Sequence, residues 1–133
     1  MTHTFLSPQG LHDPVPFGYN HTVAVAAGAE LVLVSGQYGS SPDGAVVSED
    51  FTEQVRQAFR NLATALGAHG LDLSHIVQLR TYVVGLDFDK LGVIGQTVGS
   101  NWGAHPPTQT VLGVAGLAMP DIAFEVEAVA ARP

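Results

Sequence analysis

Hydrophobic and polar positions recur along this chain with two different periods, and each change of period marks an element. Phe51, Val55, Phe59, Leu62 and Leu66 step by four, four, three and four, the apolar stripe of a helix over Phe51–His69. Glu53, Gln54, Arg56, Gln57, Arg60 and Asn61 fill its opposite side. Glu49, Asp50 and Glu53 bring acid to the N-terminus, where the helix dipole favours it, and Asp50 with Glu53 resembles a capping box. Gly67 and Gly70 bracket the stop, with Gly70 the better left-handed cap.

Before that helix, Thr22–Ala26 and Leu31–Gln37 read as two strands of a hairpin around Ala27-Gly28-Ala29-Glu30. Leu31, Val32, Leu33 and Val34 are apolar on both faces, the mark of a central or interface strand. Ser41-Pro42-Asp43-Gly44 is a turn. After the helix, His75–Val84 is rich in β-branched residues and reads as a strand. Asp87 caps a second helix over Phe88–Trp102, and Gly92, Gly95 and Gly99 lie on one of its faces, permitting close approach of a sheet or another chain. Pro106-Pro107 ends that stretch, and strands follow at Gln109–Val114 and Ile122–Ala130. The order β-β-α-β-(β)-α-β-β predicts an α+β fold, one sheet with two helices on one face. Residues 1–133 show no linker or internal repeat and read as one domain, with 1–18 an irregular lead-in rich in Pro and Gly.

Composition narrows the functional classes. Only 13% of the 133 residues are charged, against ~25% in a typical soluble domain, while 46% are hydrophobic. A globule so poor in charge favours covering part of its surface with further copies of itself. Twelve acidic and five basic residues leave a net charge of −7, a field that repels nucleic acid. The absence of cysteine excludes disulfides, thiolate nucleophiles and Cys-ligated metals. No apolar run approaches the ~20 residues of a membrane span, and Met1–Gly10 has no secretory pattern, so the expectation is a cytoplasmic protein. The six histidines form no H-x-H or H-x-x-x-H pair, which speaks against zinc.

Several motifs resemble the Rid family (the YjgF family, reactive intermediate deaminases). They are Val34-Ser35-Gly36-Gln37, Gly18-Tyr19-Asn20-His21, Arg80-Thr81-Tyr82-Val83, Pro106-Pro107 with Val114-Ala115-Gly116-Leu117, and Phe124-Glu125-Val126-Glu127-Ala128. The resemblance runs from about Phe17 to Arg132. It implies a chorismate-mutase-like, YjgF-type fold and a homotrimer with a barrel-like core. Ligand clefts would lie between subunits, and the chemistry would be imine or enamine hydrolysis with no metal or organic cofactor.

The same resemblance assigns site residues. Glu125 matches the glutamate that positions water; a solvent-facing carboxylate is the plainer alternative, and Glu127 lies on the same strand face. Tyr19 matches a tyrosine that closes over the ligand. Ser35 and Gly36 bring backbone to the pocket, and Thr110 follows the position that anchors substrate. That anchoring position, an arginine in the deaminating members, is Gln109 here. Replacing a charged partner by an amide forfeits ~1.5–3 kcal/mol. This departs from a standard 2-imino acid deaminase, and Arg80 is the remaining cation placed to substitute. His21 and His105 could reach the same region, and Trp102 reads as packing. The expected function is a small-molecule enzyme acting on an imine, enamine or related carbonyl compound. A non-catalytic metabolite-binding trimer is the alternative, and an endoribonuclease the third reading, disfavoured by charge.

Overall fold

The stripe at Phe51, Val55, Phe59, Leu62 and Leu66 becomes the helix on which the rest of the chain packs. The computed structural model describes residues 2–133, and Met1 of the expected lead-in lies outside them. The elements are β1 (Thr4–Leu6), β2 (Thr22–Ala24), β3 (Glu30–Tyr38), α1 (Phe51–Gly67), β4 (Ile76–Val84), α2 (Phe88–Trp102), β5 (Thr108–Val114) and β6 (Phe124–Arg132). Single 3₁₀ turns lie at Val15–Phe17 and Leu73–His75.

A four-stranded sheet has the order β3-β6-β4-β5. β6 runs antiparallel to both neighbours, whereas β4 and β5 pair in parallel, a geometry that requires the crossover supplied by α2. From α1, Val55, Ala58, Phe59, Leu62 and Leu66 are buried against Val32 and Val34 of β3 and Phe124, Val126, Ala128 and Ala130 of β6. α2 adds only Ile94 and Val98 as fully buried residues. Trp102 packs edge-on against Phe59 at 6.0 Å and donates its indole N–H to Leu73 O at 3.0 Å, the packing role its sequence position suggests.

Both helices start as read. Asp50 accepts from the Glu53 N–H at 3.0 Å and Asp87 from the Lys90 N–H at 2.8 Å. Only half of the first capping box forms, because the Glu53 carboxylate turns to Arg56 at 3.0 Å. Helix α1 stops at Gly67 and Gly70 adopts the left-handed conformation, φ +71°.

Four expectations change. The lead-in is not irregular throughout, since Thr4–Leu6 pairs antiparallel with Thr22–Ala24 as a separate two-stranded sheet. The expected hairpin reverses the chain at Gly28, φ +79°, but β2 pairs with β1 and β3 with β6. A turn signal specifies the reversal of direction, and the partner is decided by which strand completes the buried sheet. The bracketed strand after β4 does not form, because Gly85, φ +63°, leads directly to the cap at Asp87. Finally, no sheet closes on the three glycines of α2: an added Cβ on each would meet nothing within 4 Å, and the neighbour at Gly95 is instead Gly18, where an added Cβ would stand 3.4 Å from the Gly95 Cα.

Gln54, read as part of the polar side of α1, is 1% exposed. Its Nε2 donates to Ser48 O and Asp121 O, each at 3.0 Å, and its Oε1 accepts from the Ala123 N–H at 2.9 Å. The amide thus ties the start of α1 to the segment entering β6. Close passage is enforced nearby, since a Cβ on Gly39 would stand 2.7 Å from the Gln54 backbone. Gln54→Leu removes the amide that bonds three backbone groups, and is expected to lower unfolding free energy by about 3 kcal/mol in urea titration.

Candidate functional site

Strand β6 has alternating faces, and that alternation brings the expected site chemistry to one side of the sheet. Phe124, Val126 and Ala128 point into the core, leaving Glu125 and Glu127 half-buried on the face away from the helices. Register sets Tyr82 beside Glu125, Arg80 beside Glu127, and Thr110 beside Arg80. On the other side of β6, Ser35 and Gly36 together oppose the single residue Glu127, a β-bulge. A Cβ on Gly36 would lie 2.0 Å from Glu125 Oε1, so the carboxylate lies across the glycine and needs its missing side chain.

The two glutamates differ in their attachments. The Tyr82 hydroxyl donates to Glu127 Oε1. That bond is the main cause raising the Tyr82 phenol above its usual range; burial and the charges of Glu127 and Glu125 add to it, opposed by Arg80. Glu125 makes no hydrogen bond among the described residues, which leaves both oxygens for water or ligand. Arg80 stands exposed on the same face. The other four cations are engaged elsewhere: Arg56 with Glu53, Arg60 with Gln57, Lys90 with Gly85 O, and Arg132 with Glu30.

Gln109 and Tyr19 belong to the opposite side. Gln109 pairs in register with Leu79, on the core-facing side of β5, while Thr110 takes the open face. Its Oε1 accepts from the Thr81 hydroxyl at 2.8 Å and its Nε2 donates to Gly18 O at 3.1 Å. The amide is therefore committed to the protein rather than held out for a ligand carboxylate. Two further bonds hold the same segment. The Asn20 N–H donates to Pro107 O at 3.0 Å and Asn20 Nδ2 to Pro106 O at 2.7 Å. Clamped between Gly18 and Asn20, Tyr19 lines two adjoining cavities of about 480 and 630 Å³ that share Gln109 and Thr110. The larger is walled by Phe17 and Phe88, 68% and 90% exposed, and floored by Gly92 and Gly95 of α2.

Within one chain the structure thus assembles two groups. Ser35, Gly36, Arg80, Thr110 and Glu125 lie on or beside the open sheet face, and Tyr19 with Gln109 lies at the edge formed by β5 and the N-terminal segment. In a single chain Gln109 pairs with core-facing Leu79 whereas Glu125 pairs with Tyr82 of the open face, so the two side chains leave the sheet on opposite sides. Sequence reasoning missed Asn20 and Thr81 as the residues that fix Tyr19 and Gln109. The signal lay in Gly18-Tyr19-Asn20-His21, where a lone Asn flanked the tyrosine.

Among the histidines, the His3 ring bonds the Ala26 N–H at 2.9 Å and Ala131 O at 3.3 Å, and His75 closes a turn with Asp72. His69 and His105 are exposed in loops. His12 and His21 stand against Tyr19. Among the described residues no three His, Asp or Glu side chains come together as a metal cluster.

Gly36→Ala tests the bulge. The added methyl can be accommodated by moving the Glu125 side chain, so stability should change by less than about 1 kcal/mol. A crystal structure of the variant should show the carboxylate displaced from its place over residue 36.

Comparison with known proteins agrees with this architecture. A family model described as Endoribonuclease L-PSP matches residues 13–132. The RutC family protein YjgH of Escherichia coli is 32% identical over 133 residues, covering 98% of this chain and 95% of its own. A 2-iminobutanoate/2-iminopropanoate deaminase of Rattus norvegicus is 29% identical over 102 residues, covering 76% of this chain and 72% of its own. The crystal structure of the Rid-family protein YyfB from Yersinia pestis superposes with a TM-score of 0.92 at 32% identity, covering 98% of each chain. No helix among the described residues is long and apolar enough to cross a membrane. With most of its length matched by the family model and by relatives at 32% identity, the chain belongs to the Rid (YjgF) family.

Proposed function

We propose that this protein is a Rid-family hydrolase acting on the carbon–nitrogen double bond of an imine or enamine, or on a related carbonyl compound, at clefts between subunits of a homotrimer. The observation that carries the reading is Glu125, an unbonded carboxylate held over a glycine on a half-buried strand. In this scheme Glu125 takes a proton from water as the oxygen adds to the C=N carbon, then returns it to nitrogen. Collapse of the carbinolamine gives the carbonyl compound and ammonia. The chemistry calls for no cofactor or metal. The named activity of the rat relative supports the reaction class.

The homotrimer has two supports. The open sheet face carries Leu31, Leu33 and Leu112, 53%, 75% and 43% exposed, an apolar surface suited to burial against other copies. A site using both Glu125 and the Tyr19–Gln109 edge also requires two chains, since one chain holds them on opposite sides. Light scattering is expected to give a mass near three times the 13.9 kDa of one chain, and a monomer would remove the shared cleft.

Gln109 separates this protein from deaminases of simple 2-imino acids. An engaged amide supplies no charge for a substrate carboxylate, so the preferred ligand is neutral or anchored elsewhere, with Arg80, the cation not engaged among the described residues, as the alternative anchor. Nucleic acid is disfavoured by the −7 net charge and by the engagement of four of the five cations. Ammonia release should be assayed on 2-iminobutanoate, 2-iminopropanoate and neutral imines and enamines. Activity is expected on the neutral members, lost in Glu125→Ala with the oligomer intact. Gln109→Arg is expected to raise kcat/KM on the 2-imino acids by ~10- to 100-fold. Ligand-induced thermal stabilisation without turnover would instead favour a metabolite-binding protein.

A further inference from the structure

Tyr19 is fixed through its backbone by Gln109 and Asn20, but the direction of its hydroxyl is decided by a different residue. His12 Nε2 lies 2.5 Å from Tyr19 Oη, and the two rings meet edge to face at 6.0 Å. His12 stands behind the tyrosine, outside the lining of either cavity. Its own place is held by His21, whose Nε2 lies 2.8 Å from His12 O and whose ring meets that of His12 edge-on at 4.8 Å. Phe17 closes the group at 6.1 Å from His12. The function proposed above uses neither histidine.

We propose that His12 is a positioning residue for Tyr19, whose protonation turns the Tyr19 hydroxyl from a hydrogen-bond acceptor into a donor toward the cavity. A phenol O–H is a better donor than a neutral imidazole N–H. With His12 neutral, Tyr19 therefore donates to Nε2 and presents only lone pairs to a ligand. With His12 protonated, both ring nitrogens are donors. Nε2–H then donates to Tyr19 Oη, and the phenol hydrogen turns to the cavity, where it can bond a carbonyl oxygen or imine nitrogen. The titratable groups around His12 are Tyr19, His21 and the neighbouring Asp13, whose Oδ1 accepts from the Val15 N–H at 3.2 Å. His21 can keep its contact with His12 O in either state, because an N–H donor serves whether or not its ring is charged. The reversal falls to His12.

The consequence for Tyr19 stands on this geometry alone; the consequence for turnover rests on the imine reading above. NMR titration of the imidazoles in the full chain tests the first. The His12 signal is the one absent from His12→Gln. Charge-assisted donation to Tyr19 is stronger than the neutral bond, so Tyr19→Phe should weaken proton binding at His12 and lower its midpoint. A midpoint that does not fall overturns the proposal, whether or not any substrate is turned over. Kinetics on a neutral imine that proves active test the second. kcat/KM, corrected for spontaneous hydrolysis, should rise as pH falls through the His12 midpoint. The profile should flatten over that range in His12→Gln, which keeps a hydrogen-bonding group, and in His12→Phe, which keeps the ring. A wild-type profile in both variants overturns the role in turnover, whereas loss of all activity in Glu125→Ala reports only on the imine reading.

Discussion

The two-residue alternation of β6 is the constraint on which the rest of this molecule depends. Phe124, Val126, Ala128 and Ala130 must face α1 to build the core, where three of them have no exposed surface and Ala128 has almost none. Once they do, Glu125 and Glu127 are forced onto the other face, because a slip of one residue would bury both carboxylates and expose the core set. The same strand sits between β3 and β4, so its register fixes which side chains meet the glutamates. Core packing and site chemistry are therefore two sides of one strand. The bulge at Ser35–Gly36 is the local adjustment that gives Glu125 room without breaking the ladder.

A second constraint acts at the sheet edge. β5 pairs with β4 on one side only, and its outer edge is met at its start by Asn20, bridged to Thr108. Gln109 and Asn20 fasten the N-terminal segment there through four hydrogen bonds, counting the one from Thr81. The position that in deaminating relatives is expected to hold a substrate carboxylate has become part of this fastening. An amide can donate and accept at once, as this place between the Thr81 hydroxyl and the Gly18 carbonyl demands; a guanidinium can only donate. The expected anchoring position and the local architecture thereby meet in one residue.

Much of this was legible beforehand. Both helices, their caps and the order of the main strands follow from period and punctuation, since each is a local signal. The motifs around Gly36, Gln109 and Glu125 marked the candidate site residues along the chain. What failed was pairing and facing. β2 has the pattern of a hairpin partner for β3, yet joins β1, because three residues near the N-terminus complete its ladder. Gln54 sits among charged residues, yet is buried, because its amide bonds one backbone group at the head of α1 and two in the segment entering β6.

The sequence by itself determined the family, the α+β order, the acid-rich composition and the glutamine at position 109. Those properties reside in residue identity and spacing along one chain. Only the tertiary structure decided that Gln109 turns away from Glu125, that its amide is already bonded, and that His12 stands behind Tyr19. Facing and hydrogen-bond partnership depend on strand register and on segments brought together from far apart in the sequence. His12 and Tyr19 are seven residues apart, but Gln109 and Gly18 are separated by 91, a distance over which local propensity carries no information.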